Sequence, residues 1–194
     1  MAKRPYKQDK RAKQTGETRQ RIVEAVVELH RTVGPANTSI SAIADLAGVQ
    51  RLTVYRHFED DAAIFRACTS HYLALNPPPD PVAWQNIADA AERSRAALGA
   101  MYGFYRRTSE VWHNTYRDIE QAPALRPPLE EFEGWLDGIR DDLLKAWKPK
   151  RSTRPELKAV LRHALSFSTW ESLTANGLSD KTAVEVVEKW LAAL

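Results

Sequence analysis

The sequence predicts an all-α chain, with a small N-terminal domain of three helices followed by a larger C-terminal helical domain. Three observations carry this. Apolar residues recur at steps of three and four along most of the 194 residues. No stretch shows the alternating Val/Ile/Thr pattern of a half-buried strand bounded by turn residues. The eight glycines and eleven prolines sit mostly between the periodic segments, where they stop helices.

Residues 1–15 are expected to form a basic disordered arm. A helix is expected from about Thr18 to Val33, on the stripe Ile22, Val26 (with Ala25) and Leu29, ended by Gly34-Pro35. Thr38 offers a cap for a second helix over 39–46, closed by Gly48. A third short helix is expected over 50–57. A fourth is expected over Asp61–Leu75 with Ile64, Ala67 or Cys68, and Tyr72 inward, and Asn76-Pro77-Pro78-Pro79-Asp80-Pro81 breaks it.

A long helix over 82–107 follows, with Trp84, Ile87, Ala91, Leu98, Met101 and Tyr105 on one face. A further segment covers 109–121, and Ala122-Pro123 and Pro127-Pro128 interrupt the chain. The next helix, over 129–147, carries Phe132, Trp135, Leu136, Ile139 and Leu143. Two helices, over 155–175 and 180–194, flank Asn176-Gly177. The expected organisation is an arm at 1–15, a three-helix domain at 16–60 and a helical domain at 61–194.

Composition excludes several classes. Hydrophobic residues make up 43% and charged residues 27%, close to the globular average. No apolar run approaches the ~18 residues of a membrane span. The basic N-terminus is not followed by the apolar stretch of a secretory signal. A lone cysteine, Cys68, cannot close an internal disulfide or build a cysteine-based metal site. A soluble, cytoplasmic chain without a membrane partner or cofactor is expected.

The net charge of +3 is unevenly spread. Residues 1–60 hold eleven Lys/Arg against seven Asp/Glu, whereas residues 61–194 hold seventeen against eighteen. The first 21 residues alone hold eight basic and two acidic side chains. A basic arm on a near-neutral body suits a polyanion partner.

The stretch 38–58, TSISAIADLAGVQRLTVYRHF, narrows that partner. Ile43, Ala47, Val49 and Val54 form the inner face of two short crossed helices. Ala44 is small where the second helix approaches, and Gly48 suits the tight turn between them. This is the helix-turn-helix arrangement, whose second helix enters the major groove of duplex DNA. Gln50, Arg51, Leu52 and Thr53 stand at the start of that helix as candidate base readers. Arg51 matches guanine, Gln50 adenine and Leu52 the thymine methyl. Thr38, Ser39, Tyr55, Arg56 and His57 are candidate phosphate contacts.

Residues 18–64 closely resemble the DNA-binding domain of the TetR family of transcriptional regulators. The resemblance rests on Ile43-Ala44, Ala47-Gly48-Val49 and Thr53-Val54-Tyr55-Arg56-His57-Phe58. It implies phosphate contacts at Thr38, Ser39, Thr53, Tyr55 and His57, base readout at Gln50, Arg51 and Leu52, and a core role for Phe58. The family often has Ser-Lys at the places occupied here by Asp60 and Asp61. Acids cannot bond a phosphate, so that contact is not expected; DNA binding is then weaker, or the basic arm compensates.

The resemblance further implies a homodimer on a palindromic operator and a small-molecule effector held in the helical domain. The residues permit both. Val184, Val187 and Leu191, with Leu161, Ala164 and Ser168, are the expected dimer interface. Tyr102, Tyr105, Trp112, Tyr116, Trp135 and Trp170 are the expected ligand pocket, since aromatic side chains commonly line small-molecule sites. The ligand's charge stays open: Asp118 or Glu120 favours a cation, Arg106 or His113 an anion.

No catalytic constellation is evident. Ser166-Phe167-Ser168 lacks the glycines of a nucleophile elbow, and no phosphate-binding glycine loop occurs. The pairs Glu130-Glu131 and Asp141-Asp142 splay around their helix. Cys68 and His71 have ligand spacing but no evident third ligand. The expected function is a DNA-binding transcriptional regulator, a repressor released by a small molecule. Two alternatives are a DNA-binding activator or ligand-independent dimer, and a helical ligand-binding protein or enzyme whose helix-turn-helix is incidental.

Overall fold

The computed structural model describes residues 4–194, with side chains from Lys10 onward. The described residues form ten α-helices and two 3-10 turns, with no strand. The helices are α1 (Arg4–Thr32), α2 (Ile40–Ala47), α3 (Arg51–His57), α4 (Asp61–Leu75), α5 (Val82–Gln85), α6 (Ala90–Asp118), α7 (Arg126–Trp147), α8 (Arg154–Ala164), α9 (Phe167–Ala175) and α10 (Asp180–Ala192). The 3-10 turns are Pro35–Asn37 and Pro123–Leu125.

The chain divides into two compact units. The first runs to Asn76 and includes His113–Pro128; the second holds Pro77–Trp112 and Leu129–Leu194. The division therefore lies beyond α4 rather than at residue 60. The reason is packing: Ile64 and Cys68 of α4 share one core with Ile22, Val23 and Val26 of α1, Ile43, Ala44 and Ala47 of α2, Val54 of α3, and Phe58. Removing α4 would expose that core to water.

Within the first unit, α1 begins at Arg4, far ahead of the expected start near Thr18. Residues 10–15, expected in a disordered arm, are helical; residues 1–3 lie outside the described residues. The segment is rich in Lys, Arg, Gln and Ala, all good helix formers, and its one Gly16 costs only about 1 kcal/mol. The cap of α2 is Ser39 rather than Thr38. Ser39 Oγ accepts from the Ala42 N–H at 3.1 Å, while the Thr38 hydroxyl donates to the Gly34 carbonyl at 2.8 Å. The α4 helix has the expected bounds, and Asp60 caps it by accepting from the Ala63 N–H at 2.6 Å.

The second unit departs from expectation in three places. The helix expected over 82–107 is broken into α5 and α6, because Asp89 caps a fresh start by accepting from the Glu92 N–H at 2.8 Å. Conversely, α6 runs unbroken through Thr108, whose buried hydroxyl donates to the Phe104 carbonyl. The expected helix over 155–175 is split at Leu165-Ser166. There Ser166 caps α9, and the Tyr102 and Tyr105 hydroxyls donate to the Ala164 and Leu165 carbonyls at 3.0 and 2.8 Å. Finally, Pro127-Pro128 do not interrupt the chain. They sit in the first turn of α7, where a missing N–H is harmless.

Candidate nucleic-acid interface

The helix-turn-helix is built from its inner face outward. Ile43 (3% exposed), Ala44 (1%) and Ala47 (5%) turn α2 onto α1, and Val54 (0%) fixes α3 at the crossing. Gly48 closes α2 in the left-handed region at φ 64°, ψ 43°, a conformation that costs glycine little. The Val49 N–H then donates to the Ala44 carbonyl at 2.9 Å, which seals the turn. Phe58 is buried at the end of α3 beneath the Arg19 guanidinium, 4.8 Å from the ring centre.

The outer face of α3 is left to solvent. Gln50 precedes α3 without spending its side chain on the cap. Arg51 and Arg56 are exposed, as are Leu52 (57%) and Tyr55 (53%), while Thr53 and His57 are half-buried. Large apolar groups held in water on a seven-residue helix beside two arginines gain nothing for folding. Ser39 is exposed at the start of α2, and Thr38 is half-buried beside it. All nine candidate DNA residues thus lie within one short stretch, on or beside α2 and α3. The Asp60 carboxylate is occupied as the α4 cap.

Behind this face lies a polar cluster that periodicity did not reveal. His30 is buried (6% exposed), stacks on Phe65 with ring centres 4.9 Å apart, and places Nδ1 3.5 Å from Cys68 Sγ. Burial pushes the His30 imidazole down to about 4, against the opposing pull of the Asp118 charge, so the ring is neutral. Burial likewise pushes the Cys68 thiol up to about 12. Asp118 accepts from Arg117 Nε at 2.6 Å and from the Ala36 N–H at 3.1 Å. The Arg117 hydrogen bond, then the Ala36 N–H and the charges of Arg117 and His30, hold its carboxyl below the usual range. His71 turns to Gln20, 3.4 Å away. Among the described residues no three His, Cys, Asp or Glu side chains gather as a metal site.

The second unit brings most of the expected pocket residues together, but as packed core. Tyr102 and Tyr105 are fully buried, and Trp112 and Trp170 nearly so. Trp112 lies 4.3 Å from Phe132 between ring centres, Trp135 5.4 Å from Phe132, and Tyr105 6.0 Å from Trp170. Trp170 Nε1 donates to Asp180 at 2.9 Å, and the Arg106 guanidinium lies 5.1 Å over its ring. Tyr116, half-buried, falls in the first unit rather than with these rings. A separate open groove of about 410 Å³ is lined by Ala91, Ser94, Trp147, Glu188 and Leu191. None of the six expected pocket residues lines it.

The expected dimer residues are mostly spent inside one chain. Leu161, Ala164 and Val187 are 0% exposed, Leu191 2% and Val184 6%, where α8, α9 and α10 pack on one another. Only Ser168 faces outward. The apolar stripe of α10 is satisfied within the bundle, so an outer contact must use its other side. There Trp190 is 37% exposed and stacks on His163.

Residues 22–68 match the family described as bacterial regulatory proteins, tetR family. Over 74 residues the chain is 36% identical to the HTH-type transcriptional regulator SrpR of Pseudomonas putida, covering 37% of this chain and 35% of SrpR. It is likewise 36% identical over 74 residues to TtgW, an uncharacterized HTH-type transcriptional regulator from another strain of Pseudomonas putida, covering 37% of this chain and 55% of TtgW. The matched region thus spans between a third and just over half of those relatives. The fold is similar to that of a TetR-like transcriptional regulator from Rhodococcus sp. RHA1, with a TM-score of 0.61 and 20% identity over 89% of this chain and 92% of that one. No described helix is long and apolar enough to cross a membrane. On the match at 22–68, the Ala47-Gly48-Val49 turn and the shared helical fold, the chain belongs to the tetR family of bacterial regulatory proteins.

Proposed function

We propose that the chain is a sequence-specific DNA-binding transcriptional regulator: a homodimeric repressor on a palindromic operator, released by a small-molecule effector. The observation that supports this best is the exposed face of α3, held rigidly by Val54 and Phe58 while Arg51, Leu52 and Tyr55 stay in water. In this reading Gln50, Arg51, Leu52 and Thr53 read base edges, with Arg51 bidentate to guanine. Thr38, Ser39, Tyr55, Arg56 and His57 hold phosphates and set the register of α3 in the groove. Two protomers present two such helices, so the site is a pair of inverted half-sites spaced by whole turns of duplex.

The dimer contact falls on the outward side of α8–α10, around Ser168 and Trp190, rather than on residues already buried. The effector acts by binding better to a conformation whose α3 helices are mis-spaced for the operator. Its contacts come from Tyr105, Trp112, Trp135 and Trp170, whose ring-on-ring packing must loosen to admit it. Absence of catalysis belongs to the same reading: the second unit supplies binding and assembly, not chemistry.

Selection of sites from a random duplex pool at about 0.15 M salt tests the reading, since the charge contacts are then screened to about 8 Å. A palindromic consensus is expected. No enrichment over the starting pool would sink it. A consensus that is not palindromic would overturn the dimeric part alone.

A further inference from the structure

The part of α1 ahead of the core gains no burial from its own chain. Every side chain from Lys10 to Glu17 is exposed, and the first buried residue is Ile22. The helix starts at Arg4, so about 27 Å of it precedes Ile22 at a rise of 1.5 Å per residue. Such an extension incurs no nucleation cost, because it propagates from a helix already fixed by the core. From Lys10 onward it still exposes a long surface with no structural return within the chain.

That surface is patterned. Lys10, Arg11, Gln14, Thr18 and Arg21 follow steps of three and four and so share one side of α1. The sequence carries the same spacing back through Lys7 and Arg4. The acids nearby are engaged from elsewhere: Glu17 by Lys13 at 4.0 Å and Glu24 by Gln20 at 3.0 Å. The hydroxyls of Thr15 and Thr18 turn back onto the Arg11 and Gln14 carbonyls. What remains along the stripe is positive.

The stripe also ends in a telling place. Arg21 Nη1 lies 3.9 Å from where a β-carbon would stand on Gly48, in the turn between α2 and α3. The basic side of α1 therefore abuts the start of α3 and leads away from it. A duplex carries one charge per about 1.7 Å of axis, so a duplex seated on α3 offers phosphates beyond the bases α3 reaches. The start of α4 supplies no cation for them, since Asp60 and Asp61 stand there.

We propose that the N-terminal turns of α1 are a second DNA-contacting element, a basic helix whose Lys10–Arg11–Gln14–Arg21 stripe runs along the phosphates flanking each half-site. The element lengthens the footprint without reading sequence. It rests on the duplex-DNA reading above, and it compensates for the phosphate contact that Asp60 and Asp61 cannot make.

The test compares the full-length protein on two duplexes: the selected consensus trimmed to its edges, and the same consensus with 10 bp of arbitrary flank on each side. The wild type is expected to bind the flanked duplex about tenfold tighter. K10Q/R11Q is expected to forfeit most of that gain. On the flanked duplex its slope of log affinity against log salt should flatten by about 0.9 for each phosphate no longer neutralised. K13Q, one charge removed outside the stripe, should leave the gain intact. Equal wild-type affinity for the two duplexes would overturn the proposal, as would a drop in K13Q equal to that in K10Q/R11Q. Failure to select any consensus would overturn the duplex-DNA reading itself, a separate result from a consensus bound without regard to its flanks.

Discussion

The Asn114 side chain donates to two successive carbonyls at the end of α1, that of His30 at 2.9 Å and that of Arg31 at 2.7 Å. These carbonyls belong to the last turn of a helix, where no intrahelical partner is available. Asn114 thus caps α1 from a position more than eighty residues away in sequence. Asn114→Ala leaves both carbonyls short of a donor in a site that is 7% exposed. A destabilisation of about 1–3 kcal/mol is expected by urea denaturation. An unchanged midpoint would show that water replaces the amide at no cost.

The neutral His30 ring makes stability depend on pH. Its folded value, about 4, lies below the ordinary 6.5, so the unfolded chain binds more protons between those values. Stability is therefore full above about pH 6.5 and declines as pH falls towards 4. The groups facing the ring are Cys68, Phe65 and the Asp118 carboxylate. Asp118 is depressed below 3.8, so its own contribution disappears only at lower pH and does not overlap this window. The decline is on the order of 3 kcal/mol, at about 1.4 kcal/mol for each pH unit between the two values. His30→Gln should flatten the profile of unfolding free energy between pH 4 and 6.5; an unchanged slope would assign the decline to other groups.

Gly34 and Gly177 separate two kinds of glycine requirement. Both sit at positive φ, 90° and 88°. A β-carbon on Gly34 would run into the Arg117 guanidinium and the Asp118 carboxylate, whereas one on Gly177 meets nothing within 4 Å. Gly177→Ala should cost about 1–2 kcal/mol, the backbone strain alone. Gly34→Ala should cost more, because the Arg117–Asp118–Ala36 contacts must also shift. Thermal melts of the two variants check the order, and equal losses would refute it.

Arg51→Ala tests the assignment of base reading. A bidentate Arg–guanine pair contributes discrimination at one position, about 1–3 kcal/mol. The variant should select a consensus relaxed at a single base pair per half-site. A uniform weakening across all sequences would make Arg51 a phosphate contact instead.

Much of the first unit was legible because its signals are local. The Ala47-Gly48-Val49 turn, the inward Val54 and Phe58 and the bounds of α4 all follow from spacing within about twenty residues. The error at the α2 cap was a local competition between nearly equal partners: two hydroxyls, Thr38 and Ser39, stand side by side, and geometry chose the second. The candidate DNA residues were legible for the same reason, as a seven-residue helix with one buried position has little choice of outer face.

The second unit was less legible because its breaks depend on distant partners. Leu165-Ser166 ends α8 only because Tyr102 and Tyr105, some sixty residues earlier, supply donors to the freed carbonyls. Leu161, Val184, Val187 and Leu191 read as a dimer face because periodicity reports which side is apolar, not what covers it. Tyr105, Trp112 and Trp170 read as a pocket because composition cannot distinguish a lined cavity from rings packed on rings.

Short-range periodicity and composition suffice for the all-α class, the helix-turn-helix with its outer residues, and the concentration of positive charge at the N-terminus. They do not reach the placement of α4 with the N-terminal core, the return of Asn114 and Asp118 to α1 and its following turn, or the helical continuation of the basic arm alongside Gly48. The first two depend on buried groups finding their partners across a long stretch of chain. The cost of an unpaired buried group is fixed by what packing brings next to it, and no local pattern encodes that. The third depends on a helix already nucleated by the core, from which the basic segment merely propagates.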